Sequence, residues 1–224
     1  MLKTHLVLAI PAYDGVLPTQ AVNSIVANAY QFSQRNWVLE MALLNNCSLV
    51  QKARNHLVHM FLHGDGTHMM CVDSDISWNP HDLMKLIKHS AKYPVIAGVY
   101  PSKSDELKVY ADYERTDTGD VRCNEEGLGF AKSIPAGFML LRRDVVEDLA
   151  KRYASTSYLS TDGEFSGQRI VVLFDAMLKD DKYYGEDVIF CQRLRESGYD
   201  IMVDPTIILN HHGKKIYSLG ASSG

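Results

Sequence analysis

Hydrophobic positions in the first hundred residues switch between a strand-like and a helix-like period. HLVLAI (5–10) is an apolar run closed by Pro11, the pattern of a strand covered on both faces of a parallel sheet. From Thr19 the apolar positions Val22, Ile25, Val26, Ala29 and Tyr30 return at helical spacing. VLEMALL (38–44) reads as a second strand, and SLVQKARNHLVHMFL (48–62) as a second helix with Ser48 as its cap. HMMCVD (68–73) is a third strand, Asn79-Pro80 opens a third helix, and PVIAGVY (94–100) is a fourth strand. This alternation predicts a doubly wound α/β layer.

Beyond Tyr100 the segments become shorter and more polar. KVYADYE (108–114) precedes a turn-rich stretch to Gly129, then the apolar strand GFMLL (137–141) and a helix from about Asp144 to Tyr153. STSYLSTDGEFSGQR (155–169) is small and polar and is expected to be a mobile loop. A last helix begins near Glu186 and stops at Gly198, and DIMVDPTIILNHHG supplies terminal strands. Without a repeat or a long linker, the chain reads as one mixed α/β domain spanning 1–224.

Composition narrows the class. The 224 residues are 46% hydrophobic and 22% charged, which excludes disordered and fibrous chains. A formal charge of −4 argues against a nucleic-acid protein, yet leaves room for a phosphate-bearing small molecule whose charge a divalent cation neutralises. Cys47, Cys71, Cys123 and Cys191 form no C-x-x-C pair and are read as reduced. The N-terminal apolar run is too brief for a signal peptide, and no stretch approaches the ~20 apolar residues of a membrane span. The expectation is a soluble, cytoplasmic protein.

Asp73-Ser74-Asp75 stands where the third strand runs out. On extended chain, carboxylates at i and i+2 point to one side and repel unless a cation sits between them, and Mg²⁺ or Mn²⁺ is the natural filling. Open α/β sheets bind ligands beyond the carboxyl ends of their strands, which is where this motif lies. The alternative is that these acids cap the following helix, a task for which Asn79-Pro80 already suffices. Neither G-x-G-x-x-G after the first strand nor a P-loop occurs, which argues against dinucleotide oxidoreductases and P-loop kinases. After the first strand, Pro11-Ala12-Tyr13-Asp14-Gly15 offers an aromatic face and a carboxylate to a nucleoside, or forms only a surface turn. Arg54 interrupts the apolar stripe of Val50, Leu57, Val58 and Phe61, so it needs an anionic partner, in the DSD carboxylates or a diphosphate, or else snorkels to solvent.

Taken in order, these residues resemble GT-A glycosyltransferases, the nucleotide-diphospho-sugar transferase superfamily. The nucleotide-binding half is matched by Pro11-Ala12-Tyr13, Ala53-Arg54-Asn55 and Thr67 to Asp75. The acceptor half is matched by Ile134 to Met139, Gly185-Glu186-Asp187, Asp204-Pro205 and Leu209 to Gly213. The resemblance implies a single GT-A domain with a mixed central sheet: a Rossmann-like nucleotide-binding half over about 1–100, an acceptor half over about 101–213 and a tail over 214–224. It further implies that Pro11, Ala12, Tyr13 and Asp14 face the nucleotide, with Gly137 and Lys103 also on the donor side. Arg54 would brace the diphosphate or the DSD motif, and Asp75 would be the principal metal ligand, with His211 completing the shell. Asp73 would contact ribose or the metal's shell, and Asp187, beside Glu186, would be the general base of an inverting transfer. Acids at a helix start are favoured by the macrodipole in any protein, which is the bland account of Glu186 and Asp187.

The function implied is metal-dependent sugar transfer, with Mn²⁺ or Mg²⁺, from a nucleoside-diphosphate sugar to a hydroxyl of a glycan, protein or small molecule. Two alternatives stand beside it. A haloacid-dehalogenase-type phosphohydrolase would use Asp73 as nucleophile, with Asp180-Asp181 as a later acid pair. A nucleotide-sugar binding module would carry no turnover.

Overall fold

The computed structural model describes residues 3–104, 108–213 and 216–218. Its first half follows the periodicity closely. Strand β1 (His5–Pro11) leads to α1 (Thr19–Ser33), β2 (Val38–Leu44), α2 (Val50–His63), β3 (His68–Val72), the two-residue β4 (Ile76–Ser77), α3 (Pro80–Ser90) and β5 (Val95–Ala97). The second half adds β6 (Asp112–Tyr113), β7 (Gly129–Ser133), β8 (Phe138–Arg142), α4 (Arg143–Arg152), β9 (Tyr158–Leu159), β10 (Arg169–Ile170), β11 (Met177–Lys179), β12 (Lys182–Tyr184), α5 (Glu186–Glu196), β13 (Ile201–Val203), β14 (Asn210–His212) and β15 (Ile216–Ser218). The expected tail from 214 lies outside the described residues except for this last strand.

The central sheet has eight strands in the order β2-β1-β3-β8-β5-β13-β7-β6. Strands β2, β1 and β3 run parallel, whereas β8 is inserted antiparallel between β3 and β5. Residues from both halves therefore share one mixed sheet. Phe138 to Leu141 are all buried, which suits β8 to that central position. Alternation along β1 sends Leu6, Leu8 and Ile10 into a core with α1 and α3, and Val7 and Ala9 into a core with α2, α4 and α5. The parallel strands end at one edge, and that edge carries the loop after β1 and the DSD segment after β3. No helix among the described residues is long and apolar enough to cross a membrane.

Several local expectations are corrected. In α1 the buried face is Ala21, Ser24, Ile25, Asn28 and Phe32, leaving Val22, Val26 and Tyr30 exposed. Polar side chains win this face because they are satisfied there: Ser24 Oγ donates to the Trp78 carbonyl at 2.6 Å, and Trp78 Nε1 donates to Asn28 Oδ1 at 2.7 Å. Ser48 does not cap α2, since the helix starts at Val50 and Leu49 holds the N-cap position without a side-chain bond. The stretch expected to be a mobile loop folds as 3₁₀ turns around a β9–β10 hairpin, and buries Phe165 in a stack 4.2 Å from His56. Asn79 does cap α3, accepting from the His81 amide at 3.0 Å, so the DSD acids are free of that task.

Candidate functional site

The DSD segment is a turn rather than extended chain. The Ile76 amide donates back to the Asp73 carbonyl at 3.1 Å, and Asp and Ser are common turn formers. The two carboxylates consequently meet different partners. Arg54, on α2, donates through Nη2 to Asp73 Oδ1 at 2.5 Å and through Nη1 to the Ala136 carbonyl at 3.2 Å. The Tyr100 hydroxyl donates to Asp73 Oδ2 at 2.8 Å. Burial, and then the Asp73 charge, pushes the Tyr100 hydroxyl well up, so it stays protonated and remains a donor. Both oxygens of Asp73 are thus held by protein donors. That is poor geometry for a phosphate nucleophile. Asp180 and Asp181, the other acids that alternative invoked, take positive φ in the turn joining β11 to β12, a place that suits Asp.

Gly137 completes this cluster. A Cβ there would lie 2.2 Å from both Asp73 Oδ2 and the Tyr100 hydroxyl, so only glycine lets the chain before β8 pass this close to the DSD carboxylate. Its carbonyl accepts from the Asp73 amide at 3.0 Å.

Asp75 is more open. Lys103 ion-pairs with Oδ2, and His211 Nε2 lies 3.5 Å from Oδ1. Burial alone would raise this carboxyl, but the contacts from His211 and Lys103 outweigh it and hold it at about 2. The topology that delivers His211 is specific: β14 pairs antiparallel with β4, placing His211 opposite Ile76, and the His212 amide donates to the Asp75 carbonyl at 2.8 Å. Adjacent strand residues point oppositely, so His212 turns inward to Ser77 Oγ at 2.8 Å. His211 Nδ1 faces the Pro101 carbonyl at 2.8 Å. A carbonyl only accepts, so Nδ1 carries a proton, and Nε2 is the ring nitrogen that faces the Asp75 carboxylate. A carbonyl-oriented imidazole beside a carboxylate is a donor set that suits Mn²⁺, and this pair fits a divalent cation with its other positions left to ligand or water. Among the described residues no group of three His, Cys, Asp or Glu side chains converges as a complete metal shell.

Glu186 and Asp187 open α5. Glu186 Oε1 approaches Arg54 Nε, a buried donor without a hydrogen-bond partner, at 3.6 Å. Asp187 Oδ1 accepts from the Val188 amide at 2.8 Å, while burial and the Glu186 charge push its carboxyl up. Asp187, Lys103 and His211 line one cavity of about 370 Å³ together with Tyr100, Tyr110 and Pro135. Pro11, Ala12, Tyr13 and Asp14 lie apart from that cavity's lining, in the turn after β1. Asp14 Oδ1 accepts from the Val16 amide, Ala12 and Tyr13 are tied to Leu44 and Asn46, and the Tyr13 ring is 63% exposed. Tyr100 was missed by the sequence reading as a site residue. Its signal was a tyrosine ending an apolar strand whose carboxyl end shares an edge with DSD.

No family profile matches the chain, and no curated protein matches it. Solved structures do. A197 from STIV superposes at a TM-score of 0.62 and 17% identity, covering 99% of this chain and 97% of that one. GalNAc-T7, in a structure with UDP, GalNAc and Mn²⁺, gives 0.56 and 11% identity over 94% of this chain. TarS 1–349 of S. aureus gives 0.50 and 13% identity over 91% of this chain. The chain spans 58% of that TarS fragment and 44% of the GalNAc-T7 chain. The fold is GT-A-like, a single mixed α/β domain.

Proposed function

We propose that this protein is a glycosyltransferase that moves a sugar from a nucleoside-diphosphate donor to an acceptor hydroxyl. The observation that carries the reading is a cavity at the carboxyl edge of the sheet, where Asp187, with its raised carboxyl, and His211 of the Asp75 pair share one lining. The UDP, GalNAc and Mn²⁺ present in GalNAc-T7 agree with this choice of donor and cation. Asp75 and His211 would hold Mn²⁺ or Mg²⁺, which supplies charge neutralisation for the departing diphosphate. Tyr13 and Asp14 would meet the nucleoside beyond β1. Arg54 is spent on Asp73 and holds the DSD turn rather than the donor.

Asp187 acts as general base. It takes the proton of the acceptor hydroxyl as that oxygen bonds to the anomeric carbon and the bond to the diphosphate oxygen breaks. Attack opposite the leaving group inverts configuration. Burial aids this role, because a carboxylate pushed above its ordinary range is a stronger base.

The test is incubation with Mn²⁺ and panels of nucleotide sugars and phosphate monoesters, with thermal shifts across UDP, GDP, CDP and dTDP. Sugar release from a nucleotide sugar, abolished by Asp75→Asn together with Mn²⁺-dependent diphosphate binding, is the expected result. Phosphate release from simple monoesters would establish a phosphohydrolase instead, and tight binding without sugar release would establish a binding module. In Asp187→Asn, turnover should fall about 10²- to 10⁴-fold while donor affinity stays nearly unchanged.

A further inference from the structure

The two acids of the DSD turn are neutralised in unlike ways. Asp73 is held by an arginine whose side chain is 5% exposed and which also bonds the Ala136 carbonyl. A buried, bidentate-capable guanidinium is a permanent partner, since freeing it would strand a charge in the interior. Asp75 is held by Lys103, and both side chains are about one-third exposed. An exposed ammonium on a flexible four-carbon stem is a weak partner that water or another cation can replace.

Charge balance makes that difference matter. Each DSD acid already has a cationic partner, Arg54 for Asp73 and Lys103 for Asp75, with Glu186 also beside Arg54. A divalent cation seated between Asp75 and His211 would meet the Lys103 ammonium on the same carboxylate, so the two cations exclude each other. We propose that Lys103 is a tethered placeholder: its ammonium holds Asp75 and must leave before a divalent cation can bind there. The displaced ammonium enters the cavity it already lines with Asp187 and His211, where an incoming diphosphate offers it a new anion. Cation and diphosphate would therefore bind cooperatively, each weakly alone. The proposal rests on the reading of Asp75 and His211 as the cation site.

Mn²⁺ binding to the donor-free protein, followed by electron paramagnetic resonance, tests it without any turnover. Lys103→Met should bind Mn²⁺ about tenfold more tightly than wild type, as expected when a competing charge is removed. In the same variant the gain in Mn²⁺ affinity on adding UDP should shrink, and Asp75→Asn in that background should abolish the tight binding. Circular dichroism of each variant verifies folding. Equal or weaker Mn²⁺ binding by Lys103→Met would overturn the placeholder role and leave the cation site standing. Absence of Mn²⁺ binding in wild type and variant, with and without UDP, would overturn the cation site itself and the placeholder with it.

Discussion

At the scale of single residues, the site depends on one missing side chain and one displaced proton equilibrium. Gly137→Ala forces a Cβ into the 2.2 Å spaces beside Asp73 and Tyr100, so either the turn or the start of β8 must move. We expect a loss of about 1–3 kcal/mol in denaturant unfolding, as for other overpacked sites, together with weakened Mn²⁺-dependent diphosphate binding. For Asp187 the sign follows from its raised carboxyl. The folded state favours the protonated form, so stability from this group is full at low pH and is lost as pH rises through its folded value. Asp187→Asn should thus raise the melting temperature near neutrality, with the gain vanishing as pH falls into the ordinary carboxylate range. In wild type, kcat/KM should fall on acidification with a midpoint above that range, because only the ionised base accepts the proton. A midpoint at or below the ordinary value would remove Asp187 from the role.

At the scale of elements, β14 shows how a strand sorts two identical side chains. His211 faces Asp75 and the Pro101 carbonyl, whereas His212 is buried against Ser77. His211→Ala should weaken Mn²⁺-dependent diphosphate affinity with little change in stability. His212→Ala should do the reverse, costing about 1–3 kcal/mol by leaving a buried hydroxyl unpaired and a cavity behind. Titration calorimetry and urea unfolding separate the two; equal effects at both positions would mean the strand does not sort them. Helix α1 carries the complementary lesson. Its helical period was legible, but its buried face was not, because Ser24 and Asn28 are buried only by virtue of Trp78 and Pro80, more than fifty residues away in sequence.

At the scale of the whole molecule, Arg54 ties α2 to the end of β3 and to the chain leading into β8. Arg54→Ala leaves Asp73 half-buried without its guanidinium and the Ala136 carbonyl without this donor. Removing one partner of a buried pair costs about 3–5 kcal/mol, so the midpoint of unfolding should drop sharply. Arg54→Lys should recover only part of this, since an ammonium cannot reach both acceptors in a fixed plane. Loss confined to catalysis, with stability untouched, would mean that Arg54 is not a structural tie.

Local order in the chain was enough to determine the class of the fold and to single out several of the residues that meet around Asp73 and Asp75. Short apolar runs and stripes with period 3.6 are properties of short windows, so β1, β2, α2, β3 and the start of α3 were legible to within a few residues. The acids after β3, Arg54 on α2, the acids opening α5 and the late His211 were legible as motifs in a fixed order. Partnership was decided only by the tertiary structure. That β8 lies between β3 and β5, that Asp73 takes Arg54 and Tyr100 while Asp75 takes Lys103 and His211, and that Gly137 must be bare all depend on segments brought together by sheet topology. Such contacts cross the sequence, and no local window carries the charge, distance or burial that selects them.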